Sequence, residues 1–214
     1  MKINFNQLYY EVRSRKERVL LINRLSDCIA DFYVEKNIIL PNEKEVYKFG
    51  VELVLNEILT FLLILIFSAV FVKFRYGVEF LLTFCLTRMF AGGYHARKAY
   101  LCRLSMLAVA FFVFFAATKA SSISLRALSV LLAVSMSVVI PFVPVKHPNK
   151  ELTDKLIKRG KIGTILMYVL YCALSIVLFL HNSITDAVVI ALSLSAVSVL
   201  VIIGNFTNER SECE

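Results

Sequence analysis

A histidine and a cysteine, His95 and Cys102, stand seven residues apart in the stretch FAGGYHARKAYLCR, residues 90 to 103, together with Arg97, Lys98 and Arg103. A thiol becomes a strong nucleophile only as its thiolate, and a neighbouring imidazole or positive field lowers its pKa from about 8.5. In that setting His95 can take the thiol proton and later return one to a leaving amine, the pattern of covalent acyl transfer. The spacing sets a difficulty. Continuous α-helix would separate the two Cα atoms by ~10.5 Å of rise, on roughly one face, well beyond the ~3 Å reach of a direct hydrogen bond. Three solutions are open: the chain bends back around Ala96 to Ala99, a homodimer sets His95 of one copy against Cys102 of another, or a water or the substrate bridges them. Gly92 and Gly93 supply backbone freedom just before His95. Each residue also has a plainer reading, a solvated imidazole and a small apolar filler. Cys85 and Cys172, inside apolar runs, are fillers of that kind, and His147 and His181, with no nucleophile nearby, are structural.

The elements that must hold this pair are membrane helices. The chain has 214 residues, 58% of them hydrophobic and only 19% charged, far from the balance of a soluble domain. Six apolar stretches follow one another: Val51 to Val72, Val78 to Phe90, Leu104 to Thr118, Leu128 to Val145, Ile162 to Leu180 and Ile184 to Ile203. Runs of about 20 apolar residues suit helices crossing ~30 Å of hydrocarbon, and the runs are continuous rather than alternating, which argues against a β-barrel. The expected fold is an all-α polytopic membrane protein of about six spans. Val78 to Phe90 is short, contains Arg88 and starts next to Glu79, so a re-entrant segment competes with a span there. Charge decides it: with six spans and the N-terminus inside, 20 Lys and Arg, counting Arg88, fall inside and only Lys73, Arg75, Lys119 and Arg126 outside. A re-entrant second segment would throw the six-cation loop outside, against the positive-inside rule. The polar, cationic first fifty residues do not read as a cleavable signal peptide, so the N-terminus and the His95/Cys102 loop are both expected in the cytoplasm.

Three regions result: an interfacial N-terminal helical region over 1–45, a transmembrane catalytic domain over 46–205 and a polar tail over 206–214. Leu21, Leu25, Cys28, Ile29 and Phe32 recur at helical spacing between Glu11 and Glu35, as in a helix lying on a membrane or on the protein's own inner face. Pro41 and Asn42 punctuate, with Asn42 the expected cap of the next helix. Five cysteines form no spaced framework and no Cys/His quartet appears, so neither a metal nor a cofactor is expected. A net charge of +8 in a membrane protein sets topology and attracts anionic lipid, so nucleic acid is not an expected partner.

The run RMFAGGYHARKAYLCR resembles the signature of the accessory gene regulator B family, bacterial membrane peptidases that process the precursors of cyclic quorum-sensing peptides. The matching residues are Arg88, Gly92, Gly93, His95 and Cys102. YKFGVELVLNE, residues 47 to 57, is similar to the family's approach to its first span, and VPVKHPNKEL, residues 143 to 152, to its proline-containing loop. The resemblance implies that Cys102 is the nucleophile and His95 its acid/base partner, with Arg88 and Gly93 needed for activity. It implies a substrate too: a short amphipathic propeptide, cut to a thioester on Cys102 and then closed to a thiolactone or lactone by one of its own side chains. Acidic tails on such precursors would give Lys146, Lys150, Lys155, Lys158, Arg159 and Lys161 a capture role, beside their plain role in topology and lipid contact. Two other classes stand against this reading. A small transporter would line a path with Glu52, Asn56, Glu57 and Arg88, and a non-enzymatic scaffold would bind a partner through the N-terminal helix.

Overall fold

In the computed structural model the described residues are 22–91, 99–120, 123–143 and 154–211. Among them the regular structure is helical, with no strand. The helices are α1 (22–35), α2 (Lys44–Phe71), α3 (Phe74–Ala91), α4 (Ala99–Lys119), α5 (Leu125–Phe142), α6 (Asp154–Leu180) and α7 (Ile184–Ser211). Each of the six apolar stretches has become one helix, α2 to α7. Four helices, α2, α5, α6 and α7, are long and apolar enough by themselves to cross a membrane. Helix α3 carries Arg75, Glu79 and Arg88 within 18 residues and packs on α6 and α7.

The chain divides into two units inside α2, residues 1–62 and 63–214. In the first, α1 lies against the start of α2 through two ion pairs, Asp27 to Lys48 at 2.8 Å and Asp31 to Lys44 at 2.6 Å. Helix α1 ends on Asn37 in the left-handed region (φ 54), where the Ile38 amide donates to the Tyr33 carbonyl at 2.9 Å; this six-to-one bond closes a helix terminus, and Asn tolerates the conformation better than most residues. Asn42 is not the next cap. A 3₁₀ turn over Pro41–Glu43 precedes α2, with Leu40 at the cap. Leu40 offers no side-chain acceptor, so Glu43 reaches back and accepts from the Leu40 amide at 3.3 Å.

The second unit is built around α7, which packs on α3, α4, α5 and α6. Ala187, Val188, Val189, Ile190 and Ala191 run consecutively with at most 1% exposure, a pattern that only a helix surrounded on all sides can show. The most apolar stretch of α7 is 61% buried, against 22% in α5 and α6. Lipid supplies no hydrophobic drive for helix association, so close packing of small and branched side chains and interhelical hydrogen bonds must do it. Tyr168 of α6 lies 2.8 Å from the Ser198 hydroxyl of α7, which lies 2.9 Å from the Ser135 carbonyl of α5. Ser175 of α6 donates to the Ala187 carbonyl at 2.8 Å, and Asn205 of α7 donates to the Phe142 carbonyl at 3.0 Å. In the α2–α3 hairpin Gly77 permits close approach: a Cβ there would stand 2.9 Å from the Cβ of Ser68 and closer still to its hydroxyl.

These contacts fix direction. Ser135 pairs with Ser198 and Phe142 with Asn205, so α5 runs parallel to α7; Ser175 pairs with Ala187 and Tyr168 with Ser198, so α6 runs antiparallel. Near the start of α3, Arg75 pairs with Asp186 at the start of α7, which sets those two starts at one end. Helix α5 stops at Phe142, three residues short of the apolar stretch, with Val143 extended (ψ 144), as expected of a residue preceding proline. Ser198→Ala is expected to lower unfolding free energy in a detergent titration by about 0.6–1.7 kcal/mol for each of the two interhelical hydrogen bonds this hydroxyl makes, to Tyr168 and to the Ser135 carbonyl. Gly77→Leu is expected to lower it by clearly more, because it must push the α2 and α3 backbones away from each other.

Candidate active site

The placement of Cys102 follows from one aromatic contact and the length of a loop. Phe80 of α3 and Phe114 of α4 meet edge to face, centroids 5.7 Å apart. From that level Ala91 lies ~16 Å down α3 and Ala99 ~22 Å along α4, at 1.5 Å per residue. Were the two helices parallel, these ends would be ~39 Å apart, and the eight residue steps joining them reach at most ~28 Å. Helix α4 therefore runs antiparallel to α3. Cys102, the fourth residue of α4, then sits ~18 Å from the Phe114 level, beside the Ala91 level and within about 6 Å axially of Arg88.

The same end collects the other basic elements. Phe90 of α3 lies on Gly163 of α6, where a Cβ would stand 2.5 Å from the ring, so the first turns of α6 start at the end where α3 finishes. Lys155, Lys158, Arg159 and Lys161 are exposed there. Arg88, in the last turn of α3, lies over the Phe84 ring at 5.7 Å, a cation–π contact one turn back along its own helix. Of the predicted site residues, then, Arg88, the backbone of Cys102 and the four α6 cations are brought to one end of the bundle. Gly92, Gly93, His95, Lys146 and Lys150 lie outside the described residues. Ala99 is already helical, so it does not contribute to the expected bend; Ala96 to Lys98 also lie outside the described residues.

Arg75, Glu79 and Asp186 at the opposite end form a cluster that no sequence motif announced. Arg75 Nε stands 2.8 Å from Asp186 Oδ1 and 3.1 Å from Glu79 Oε1. Asp186 is 5% exposed, and a carboxylate so enclosed needs a partner. The signal available in sequence was an acidic residue opening an otherwise uncharged apolar run. Of the residues assigned to a transport path, Asn56 donates to the Glu52 carbonyl of its own helix at 2.7 Å and accepts at its own carbonyl from Thr60 at 2.9 Å, so it is used in bracing α2.

Chemically, this end offers a thiol position on the first turn of a helix, where the first amides and the dipole favour an anion, with cations at the same end of α3 and α6. That is an environment suited to a thiolate. The profile of the accessory gene regulator B family matches residues 26–202. No curated protein and no solved structure matches the chain. With the other cysteines replaced, Cys102 is expected to react with a membrane-impermeant maleimide from the same side as a cysteine introduced by Lys158→Cys, and from the side opposite to one introduced by Arg126→Cys; labelling alongside Arg126→Cys would refute the antiparallel placement of α4.

Proposed function

We propose, since this chain belongs to the accessory gene regulator B family, that it is a membrane-embedded cysteine endopeptidase that matures a quorum-sensing propeptide at the cytoplasmic face. The observation that carries the reading is the position of Cys102: the first turn of α4, level with the end of α3, at the basic end of the bundle. Cys102 thiolate attacks the carbonyl at an internal peptide bond, His95 having taken the thiol proton. The tetrahedral intermediate collapses as His95 gives that proton to the leaving amine, so the C-terminal tail departs and an acyl thioester remains on the enzyme. A cysteine or serine side chain within the acyl segment then attacks the thioester, regenerates Cys102 and closes a thiolactone or lactone. One activated acyl bond replaces another, so ring closure to a thiolactone needs no ATP.

Positive-inside counting supports the cytoplasmic assignment, because the end that holds Cys102 also holds the α6 cations, whereas Arg75 and Arg126 sit at the other. Arg88, within about 6 Å axially of Cys102, is the residue we assign to steadying the oxyanion. Lys155, Lys158, Arg159 and Lys161, with Lys146 and Lys150 before them, draw an acidic peptide tail to the membrane surface.

With the precursor co-expressed, Cys102→Ser is expected to abolish processing while membrane insertion and yield stay unchanged; processing that continues would favour a transporter or scaffold. Lys155→Gln with Lys158→Gln is expected to weaken precursor binding more at low salt than at high salt, since a Debye length of ~10 Å at 0.1 M shrinks to ~3 Å at 1 M. Equal effects at both salts would exclude electrostatic capture.

A further inference from the structure

The last turn of α3 is docked on α6 through a close approach that leaves no room for a side chain. A Cβ added at Gly163 would stand 2.5 Å from Cδ1 of the Phe90 ring, 2.9 Å from Cγ and 3.1 Å from Cε1. Carbon atoms rest against each other at about 3.5 Å, so even a methyl group at 163 asks the ring to retreat by about 1 Å. Turning the ring gives no relief, since Cγ lies on the axis about which it turns, and a helical Phe has few other χ1 wells to move to. What yields is the last turn of α3 or the first turns of α6. Thr87 and Ala91 are 0% exposed, so this end of α3 is held by packing up to its final residue.

Both partners stand next to groups that the proposed reaction uses. Arg88 precedes Phe90 by two residues, and Ala91 follows it and ends α3, from which the chain runs on to Gly92, Gly93 and His95. On α6, Lys158, Arg159 and Lys161 precede Gly163 and are exposed. Their levels agree too. Helix α6 runs antiparallel to α3, so Lys161 lies ~3 Å beyond the Phe90–Gly163 level, and Cys102, placed through the Phe80 and Phe114 pair, lies ~3 Å beyond Phe90. The contact therefore sets how far the cations of α6 stand from the end of α3, and through it from Cys102.

We propose that Gly163 is a positioning residue for the endopeptidase: its missing side chain lets α6 close on α3, so that a peptide whose acidic tail is held by Lys158, Arg159 and Lys161 presents its cut bond at Cys102. The role rests on the endopeptidase reading. Gly163 acts through Phe90 and touches no substrate. A misplacement of ~1 Å can cost about 10²-fold in rate, so a methyl group is enough to reveal it. Helix propensity points the other way, because Ala is the better helix former.

The test uses full-length variants in lipid vesicles, with the propeptide precursor as substrate and a fluorescent hexaglutamate peptide standing in for its tail. Gly163→Ala is expected to lower kcat roughly ten- to hundred-fold, while KM, affinity for hexaglutamate and melting temperature hold. Phe90→Ala added to Gly163→Ala is expected to bring kcat back to that of Phe90→Ala alone, because the ring that the methyl displaces is gone. Gly77→Ala, which sets a methyl 2.9 Å from the Ser68 Cβ near the other end of α3, is expected to leave kcat unchanged. An unchanged kcat in Gly163→Ala, a loss of rate matched by Gly77→Ala, a loss that tracks a fall in melting temperature, or a double variant no faster than Gly163→Ala would overturn the positioning role. Wild-type protein that leaves the precursor whole, or Cys102→Ser that still cuts it, would instead overturn the endopeptidase reading and the role with it.

Discussion

The enclosure of α7 is the constraint on which the rest of the bundle depends. Four helices contact it, and in a bilayer those contacts are held by fit rather than by expulsion of water. Alanines 187 and 191 and serines 193 and 198 let neighbours come close, and Ser198 and the Ala187 carbonyl join α5 and α6 to it through hydrogen bonds. Fit of this kind fixes direction and level as well as proximity. Helices α3, α5 and α7 run one way and α6 the other, so the loops after α3 and α5 leave from the same end. The proposed chemistry at Cys102 needs that coincidence: the end of α3, which sets the start of α4, and the cationic first turns of α6 share an end because α3 and α6 both pack on α7.

The polar contacts divide into two kinds. Those in the middle of the bundle, such as Tyr168 with Ser198, join neutral groups and cost little to bury once paired. The ionised cluster of Arg75, Glu79 and Asp186 sits instead at a helix end, where Arg75 remains 59% exposed in its side chain. That exposure lessens the desolvation that makes fully buried pairs expensive. Charge lies toward the ends of α3, Arg75 and Glu79 in its first two turns and Arg88 in its last, and between them the helix packs on α6 and α7.

All six apolar runs were legible as helices: four are apolar over a membrane's width, and the other two, though shorter, are continuous rather than alternating. Ends were less so. Helix α6 begins at Asp154, eight residues before the apolar stretch at Ile162, since hydropathy marks where a helix enters lipid and Lys and Arg continue it outward as good helix formers. Glu43 took over the cap from Asn42 for want of an acceptor on Leu40. Facing and register were not legible at all: a helix that is apolar all round has no preferred face in its sequence, so neither Arg75 with Asp186 nor Phe90 on Gly163 could be read from spacing. The motif singles out Arg88 and Cys102 in the sequence but not their relative position. What set them level was a phenylalanine pair more than ten residues from Cys102, whose types alone say nothing of their meeting.

The central claim is that the sulfur of Cys102 carries the acyl group while the peptide tail departs. It is tested most directly by rapid acid quench of the protein with its precursor, followed by mass spectrometry of the fragment that contains Cys102. The account predicts a mass gain equal to the precursor without its tail, on Cys102, released by hydroxylamine as a thioester should be. A Cys102 that stays unmodified while the cut tail accumulates would contradict it.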